Sequence, residues 1–176
     1  MGSVKGYYMR LSSWANVMRA YERGEVAYYA TPATHLIVAL AKATEEILAE
    51  GLDRRFTRHR VLAKALRAGL RAMGLRVVAK NDEVAANTIT AVYLPEGVNP
   101  AEVRKAMMAG NIVIAMPLHP ALKGRSVRIG HMGAVNHNDV IATIALLERT
   151  LKRLGAPVKL GSGLEEAQRV LYEEWI

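Results

Sequence analysis

The stretch TITAVYL at residues 88–94 and the stretch SVRIGH at residues 126–131 have the β-branched side chains and near-alternating pattern of strands. Residues 76–79 and 112–116 are shorter apolar stretches of the same character. A helical pattern follows each pair of stretches, which gives the order β-β-α-β-β-α. This order predicts an α+β fold, a sandwich in which helices cover one face of a mixed or antiparallel sheet.

Three helices are predicted before the first strand. The first covers residues 14–23. The second has Thr31 as its N-cap and Pro32 in its first turn, and it stops at Gly51. The third covers residues 54–73. Because the first two helices are apolar and have no strands of their own, they have the character of elements from another core.

Three more helices are predicted after the first strands. Asn99 caps a helix that ends at Gly110, and the polar cluster at residues 136–139 caps a helix that ends at Gly155. The sequence SGLE at residues 162–165 has the form of a capping box and opens a last short helix.

Composition excludes several classes of protein. Hydrophobic residues make up 51% of the chain and the mean hydropathy is +0.07, so there is ample apolar surface for a folded core. The absence of cysteine excludes disulfides, thiolate metal sites and thiol nucleophiles. The longest charge-free apolar stretch, residues 26–41, is shorter than the roughly 20 residues of a membrane span. The N-terminal MGSVKGYYMR has no signal-peptide core. We therefore predict a soluble, cytoplasmic protein.

The chain carries 24 lysines and arginines against 16 acidic residues, a formal net charge of +8. Four of the cations share one face of the third predicted helix: Arg60, Lys64, Arg67 and Arg71. Such a row can follow a phosphate backbone, so a nucleic-acid-binding domain is one hypothesis. No aromatic residues alternate with these cations and no RNA-binding signature accompanies them, which favours a solvated helix face.

The histidines do not form a metal-binding pattern. None has a second histidine three or four residues away, and no carboxylates complete a ligand set. We predict structural or surface positions for all of them: His35, His59, His119, His131 and His137. The sequence GSG at residues 161–163 resembles a phosphate loop only superficially, because no strand precedes it, and a linker with a helix cap explains it better.

Two features have the chemistry of anion binding. A helix start at Thr31 and Pro32 offers free backbone N–H groups to a phosphate, and the hydroxyls of Tyr28 and Thr31 add donors. An N-cap beside a packed tyrosine is the alternative interpretation. Arg128 interrupts an otherwise apolar strand, where a buried guanidinium is costly unless it meets an anion. Its planar fork matches a carboxylate.

Several motifs in the same order resemble the class V (fold type I) PLP-dependent aminotransferases, in particular the alanine–glyoxylate and serine–pyruvate group. RIGHMG at residues 128–133, followed by a capped helix with DVIATIALLE, resembles the C-terminal domain of this family. AYYATPATHLIVAL at residues 27–40 resembles its segment that reaches the cofactor phosphate of the neighbouring subunit. GLDRRFTRHRVLAKALRAGLRAMGL at residues 51–75 resembles the helix that joins its two domains. The resemblance runs from about Tyr7 to Gly155.

The resemblance implies roles for three residues and the cofactor pyridoxal 5′-phosphate (PLP). Arg128 matches the arginine that binds the substrate α-carboxylate, and Tyr28 and Thr31 match residues that bind the PLP phosphate of the partner subunit. In the family, the Schiff-base lysine and the aspartate that pairs with the pyridine nitrogen lie upstream of the matched segment. Lys5 does not resemble the setting of that lysine. We therefore predict that this chain alone lacks the catalytic lysine, does not bind PLP covalently and does not catalyse transamination.

Three hypotheses follow. The favoured one is the C-terminal portion of an alanine–glyoxylate or serine–pyruvate aminotransferase, an enzyme that moves an amino group from an amino acid to a 2-oxo acid. The second is an interaction subunit that complements a separate N-terminal half. The third is the basic nucleic-acid-binding α+β domain.

The resemblance also implies a division of the chain. Residues 1–51 would be the last helices of an incomplete large domain, residues 52–155 the small C-terminal domain, and residues 156–176 a linker and short helix. Because the missing large domain would normally cover the apolar helices of the first segment, we expect a homo-oligomer or a complex with a separate N-terminal half.

Overall fold

The computed structural model describes residues 6–174, and the chain divides into two compact units, unit 1 (Met1–Ala49) and unit 2 (Glu50–Ile176). Unit 1 contains helix α1 (Leu11–Glu22) and all but the last residue of helix α2 (Thr34–Glu50). The described elements of unit 2 are, in chain order, α3 (Leu52–Ala72), β1 (Ile89–Tyr93), α4 (Pro100–Ala109), a 3-10 helix (Pro120–Leu122), β2 (Ser126–Gly130), α5 (His137–Arg153) and α6 (Ser162–Glu174).

Strands β1 and β2 pair in antiparallel register, with Val92 opposite Val127. Alternate residues of β1 are buried, and the residues between them are only partly covered. The sheet is therefore covered by helices on one face, and the predicted α+β fold is confirmed.

Two of the four predicted strands are wrong. Residues 76–79 touch β1 through a single antiparallel bridge at Val77, and residues 112–116 touch β2 through a single bridge at Ala115. The first segment passes into a bend directly after its bridge. The second is followed closely by Pro117, which has no N–H with which to extend a ladder.

The core of unit 2 lies between the covered face of the sheet and its helices. Helices α3 and α5 each turn one apolar face toward this core. Its central side chains are Leu62, Leu66, Leu70, Val92, Val127, Ile129, Ile144, Leu147 and Leu151. Burial of these side chains is the main stabilising contribution to the unit.

Helix α6 packs closely against α3 at a pair of glycines. A Cβ atom added at Gly163 would lie 2.9 Å from the carbonyl oxygen of Gly69, and one added at Gly69 would lie 2.8 Å from the carbonyl oxygen of Gly163. Both distances are shorter than ordinary contacts, so only glycine allows the two backbones to approach in this way.

The start of α6 is capped by a distant side chain. Buried Glu148 of α5 accepts hydrogen bonds from the backbone N–H groups of Gly161 (2.9 Å) and Gly163 (2.6 Å). The predicted capping box at residues 162–165 is wrong, because the hydroxyl of Ser162 donates instead to the carbonyl oxygen of Lys159. A carboxylate already occupies the GSG backbone, so this segment is unsuited to a phosphate.

Helix α2 begins later than the sequence predicts. It starts at Thr34, and the prediction of Thr31 as N-cap with Pro32 in the first turn is wrong. The backbone N–H of Thr34 donates to the carbonyl oxygen of Pro32 (2.8 Å), so a turn precedes the helix. The free N–H groups of the helix start therefore lie downstream of Thr31.

Unit 1 buries little of its apolar surface. In its described part, Ala20 is the one buried hydrophobic residue, and α2 has no buried residue. Exposed large hydrophobic side chains on α1 and α2 are Leu11, Met18, Tyr21, Leu36, Ile37, Val38, Leu40 and Leu48. Although α2 is apolar, no helix within residues 6–174 is long and apolar enough to cross a membrane.

Candidate functional site

Arg128 lies in the middle of β2, between the buried residues Val127 and Ile129. Its backbone N–H and C=O both bond to Ala115, at 2.7 and 2.9 Å. Because side chains alternate along a strand, Arg128 projects from the face that the helices do not cover. The strand therefore presents one half-buried guanidinium on the open face of the sheet.

The guanidinium of Arg128 is held at one end. Its Nε donates to the carbonyl oxygen of Met116 (2.8 Å). No carboxylate within residues 6–174 forms an ion pair with Arg128. Gly130, two residues after Arg128 in β2, borders open space: a Cβ atom added there would meet nothing within 4 Å. The two terminal nitrogens can therefore receive a carboxylate in a bidentate arrangement.

A second arginine fixes the loop that follows Arg128. Arg58 donates to the carbonyl oxygens of Val135 (2.6 Å) and Gly133 (3.0 Å). Its Nε donates to Glu50 (2.6 Å), and this hydrogen bond lowers the pKa of the Glu50 carboxyl. The Glu50–Arg58 pair therefore holds the loop by its backbone.

His131 follows β2 and is 1% exposed. Its backbone N–H donates to the carbonyl oxygen of Thr88 (2.9 Å), and its Nε2 lies 2.9 Å from the hydroxyl oxygen of Thr90. Burial, with a smaller effect of the Arg67 charge, lowers the pKa of His131 to about 4. The imidazole is therefore neutral at pH 7 and links the end of β2 to β1.

Tyr28 and Thr31 come together in unit 1. Their hydroxyl oxygens are 2.9 Å apart, and both side chains are exposed, Tyr28 by 75%. Two adjacent hydroxyls can both donate to one phosphate. The third predicted site residue, Arg128, lies in unit 2.

An aromatic cluster supports the segment that carries the two hydroxyls. The rings of Tyr7 and Tyr29 have centroids 4.6 Å apart, and Trp14 meets Tyr29 edge-on at 5.5 Å. The hydroxyl of Tyr8 donates to the carbonyl oxygen of Thr31 (3.3 Å). Residues on both sides of α1 thus hold the backbone next to the hydroxyl pair.

The row of cations on α3 is not a free basic face. Its members share carboxylates in pairs: Arg60 and Lys64 bind Glu174, and Arg67 and Arg71 bind Asp82. Arg67 is only 3% exposed, so the predicted solvated face is wrong for this residue. Because the cations already have acidic partners, the row is poorly suited to following a phosphate backbone.

Within residues 6–174 no three histidine or carboxylate side chains are placed to hold a metal ion. Two other histidines have local structural contacts. The Nδ1 of buried His59 bonds to the carbonyl oxygen of Arg55 (2.8 Å). The Nδ1 of His119 accepts a hydrogen bond from the N–H of Ala121 (3.2 Å) at the start of the 3-10 helix.

Two groups that hold the backbone of the candidate site are not predicted from the sequence: Arg58 and the aromatic cluster. Arg58 lies among many cations of α3, and nothing in its spacing separates it from those that pair elsewhere. The aromatic cluster does have a signal, because six of the nine tyrosines and tryptophans lie in residues 7–29. That density indicates a local cluster, although it does not show which backbone the cluster supports.

No family model matches the chain, but relatives in sequence are clear. An uncharacterised aminotransferase of Methanocaldococcus jannaschii is 37% identical over 169 residues, which are 96% of this chain and 42% of that protein. The serine–glyoxylate aminotransferase of Arabidopsis thaliana is 35% identical over 90% of this chain and 39% of its own length. The chain thus spans about two fifths of these relatives, and the first match extends beyond Gly155, where the resemblance was expected to end.

Solved structures give the same relationship. The ureidoglycine–glyoxylate aminotransferase of Bacillus subtilis superposes with a TM-score of 0.83 and 34% identity, over 96% of this chain and 42% of that one. The pyridoxamine–pyruvate aminotransferase of Mesorhizobium loti gives a TM-score of 0.79 and 34% identity, over 84% of this chain and 38% of that one. The chain belongs to the class V, PLP-dependent aminotransferases and corresponds to their C-terminal part.

Proposed function

We propose that this chain supplies the substrate-carboxylate and cofactor-phosphate contacts of a cytoplasmic aminotransferase of the alanine–glyoxylate or serine–pyruvate type. The observation that carries the proposal is Arg128. Its guanidinium is anchored at Nε by Met116 and has no carboxylate partner in the described residues. Amino acids and 2-oxo acids share the carboxylate that such a fork recognises.

Arg128 would act by orienting the substrate. The hydrogen bond from Nε to Met116 fixes the plane of the guanidinium, so the terminal nitrogens hold a carboxylate in one direction. The Glu50–Arg58 pair adds to this by holding the loop after β2.

The residues of unit 1 fit the phosphate of PLP. When bound, PLP supplies the electron sink through which an amino group is transferred. Tyr28 and Thr31 offer two hydroxyl donors 2.9 Å apart on an exposed turn, and the family resemblance assigns them to the phosphate held by a partner subunit. An exposed pair suits a ligand that another polypeptide carries.

We propose further that this chain does not catalyse transamination by itself. None of its lysines lies in a sequence that resembles the surroundings of the family's Schiff-base lysine. After incubation with PLP and borohydride reduction, peptide mapping should find no stoichiometrically labelled lysine. Stoichiometric labelling of one lysine, for example Lys5, would contradict this.

Complementation tests the role of Arg128 directly. The chain would be co-expressed with the N-terminal part of the Methanocaldococcus relative, and the pair assayed for amino transfer from alanine or serine to glyoxylate. We expect transfer, and a fall in kcat/KM on the order of 10²-fold for Arg128→Gln, because a charged hydrogen-bonding pair is lost. Arg104→Gln removes the same charge from the exposed side of α4 and should leave the rate unchanged. A folded, co-eluting pair without transfer would overturn the proposal.

We also propose that another polypeptide surface, that of a second copy or of a separate N-terminal half, covers the apolar side chains of α2. In sedimentation experiments the purified chain should be larger than a monomer. Leu40→Glu places a charge among these apolar residues and should shift the chain toward the monomer, whereas Ala49→Glu on the opposite side of α2 should not. A monodisperse monomer would contradict association between copies.

A further inference from the structure

Unit 2 contains a cavity of about 640 Å³ that the proposed function does not use. It lies where the end of α3, the end of β1 and the segment between α5 and α6 meet. Part of its wall is apolar and includes Leu94, Pro95 and Pro157. Its volume is in the range of small-molecule sites.

Two guanidinium groups lie against a single ring in the wall of this cavity. The Cζ atom of Arg76 is 3.9 Å from the ring centroid of Tyr93, and that of Arg125 is 5.3 Å from the same centroid. All three residues line the cavity. Each guanidinium therefore contacts the same aromatic ring.

Neither guanidinium is neutralised by a described acidic side chain. Within residues 6–174, no ion pair involves Arg76 or Arg125, although Glu96 lines the same cavity. Arg125 uses its Nε to donate to the carbonyl oxygen of Ala121 (2.9 Å), which leaves its terminal nitrogens for a ligand. An anion in this cavity is therefore attracted by two positive charges that form no ion pair in the described residues.

We propose that this cavity is a binding site for a small organic anion, a phosphate monoester with an apolar body. The guanidiniums of Arg76 and Arg125 would bind the phosphate, which accepts bidentate hydrogen bonds. The wall formed by Leu94, Pro95 and Pro157 would contact the apolar body. Arg128 does not line this cavity, and its Nε donates to the carbonyl oxygen of Met116, which does not line it either, so the cavity is separate from the proposed carboxylate site.

The proposal is tested on the whole chain with two probes, phenyl phosphate and inorganic phosphate. The readout is the pair of Nε–Hε signals of Arg76 and Arg125 in ¹H–¹⁵N spectra, which reports this cavity and not the hydroxyls of Tyr28 and Thr31. Both signals should shift saturably, and phenyl phosphate should bind about tenfold more tightly than inorganic phosphate because its ring is buried.

Charge-matched variants complete the test. Measured by calorimetry, phenyl phosphate should bind the double variant Arg76→Gln/Arg125→Gln at least about tenfold more weakly. Glu96→Gln should strengthen binding, because it removes a negative charge that repels the phosphate. Arg104→Gln/Arg153→Gln removes two exposed arginines elsewhere and should have no such effect. Equal weakening by the two double variants, or signals that do not move, would overturn the proposal.

Discussion

The side chain of His131 makes stability depend on pH in a defined window. Burial holds the pKa of the folded-state imidazole at about 4, whereas an unfolded chain has the ordinary value of 6.5. As the pH falls from 6.5 toward 4, the unfolded chain therefore takes up a proton that the folded chain does not. The free energy of unfolding should fall over this window by up to about 3 kcal/mol.

Urea denaturation at several pH values between 7 and 4.5 measures this effect. In His131→Gln the fall should be smaller, because the titrating group is gone. His35→Gln is the matched control, since His35 is exposed on α2, and it should keep the full slope. Identical slopes in the two variants would show that His131 is not the group responsible.

Among the residues of the site, Arg128 is the most readily predicted from sequence. A guanidinium in an apolar strand has few explanations, so its exposure on the open face follows from strand alternation alone. Its anchor is not predictable in the same way, because Met116 contributes a backbone carbonyl oxygen, which every residue has. The same holds for Arg58, whose acceptors are the carbonyls of Gly133 and Val135.

At the scale of elements, the contact between α3 and α6 depends on two glycines. Gly163→Ala would place a Cβ 2.9 Å from both the Gly69 carbonyl oxygen and the Cγ of Met73. The helices must separate, so we expect a net loss of about 1–3 kcal/mol in the free energy of unfolding despite the better helix propensity of alanine. Chemical denaturation of the variant and the parent chain measures this change in the free energy of unfolding. Gly130→Ala, which adds the same methyl group to open space, should be close to neutral; equal losses would contradict this account.

Helices are predicted from sequence better than strands in this chain, and the reason is physical. Caps and terminal glycines are local signals, and the helix predicted from residues 136–139 to Gly155 is α5 (His137–Arg153). A strand depends on partners far away in sequence. Four suitable residues, such as 76–79, can therefore touch a sheet at one bridge without extending it.

For the whole molecule, the uneven distribution of buried side chains predicts which part folds alone. The core cluster lies entirely within unit 2, whereas the described part of unit 1 has one buried hydrophobic residue, Ala20. A shortened chain beginning at Glu50 should unfold in a single cooperative transition, and residues 1–49 alone should show no such transition. Circular dichroism during thermal unfolding measures both.

Glu50 belongs in the shortened chain because of its two partners. It accepts hydrogen bonds from Arg55 (2.8 Å) and Arg58 (2.6 Å), and the lowered pKa of its carboxyl indicates stabilisation of the charged form. That contribution is present above the ordinary pKa of glutamate and is lost as the pH falls through the lowered value. Glu50→Ala in the shortened chain should therefore reduce stability at pH 7. A chain that unfolds without cooperativity even with Glu50 present would refute independent folding.

Where one carboxylate binds two cations, substitution of the carboxylate should be tolerated less well than substitution of either cation. Asp82 binds both Arg67 and Arg71, and Glu50 and Glu174 are shared in the same way. Exchange of one cation leaves the carboxylate with its other partner, whereas exchange of the carboxylate leaves two cations facing each other. Across a saturation library, the three acidic positions should accept fewer substitutions than most of the basic positions around them. Part of the surplus of positive charge in this chain therefore comes from cations that share a carboxylate and are not free to bind a polyanion.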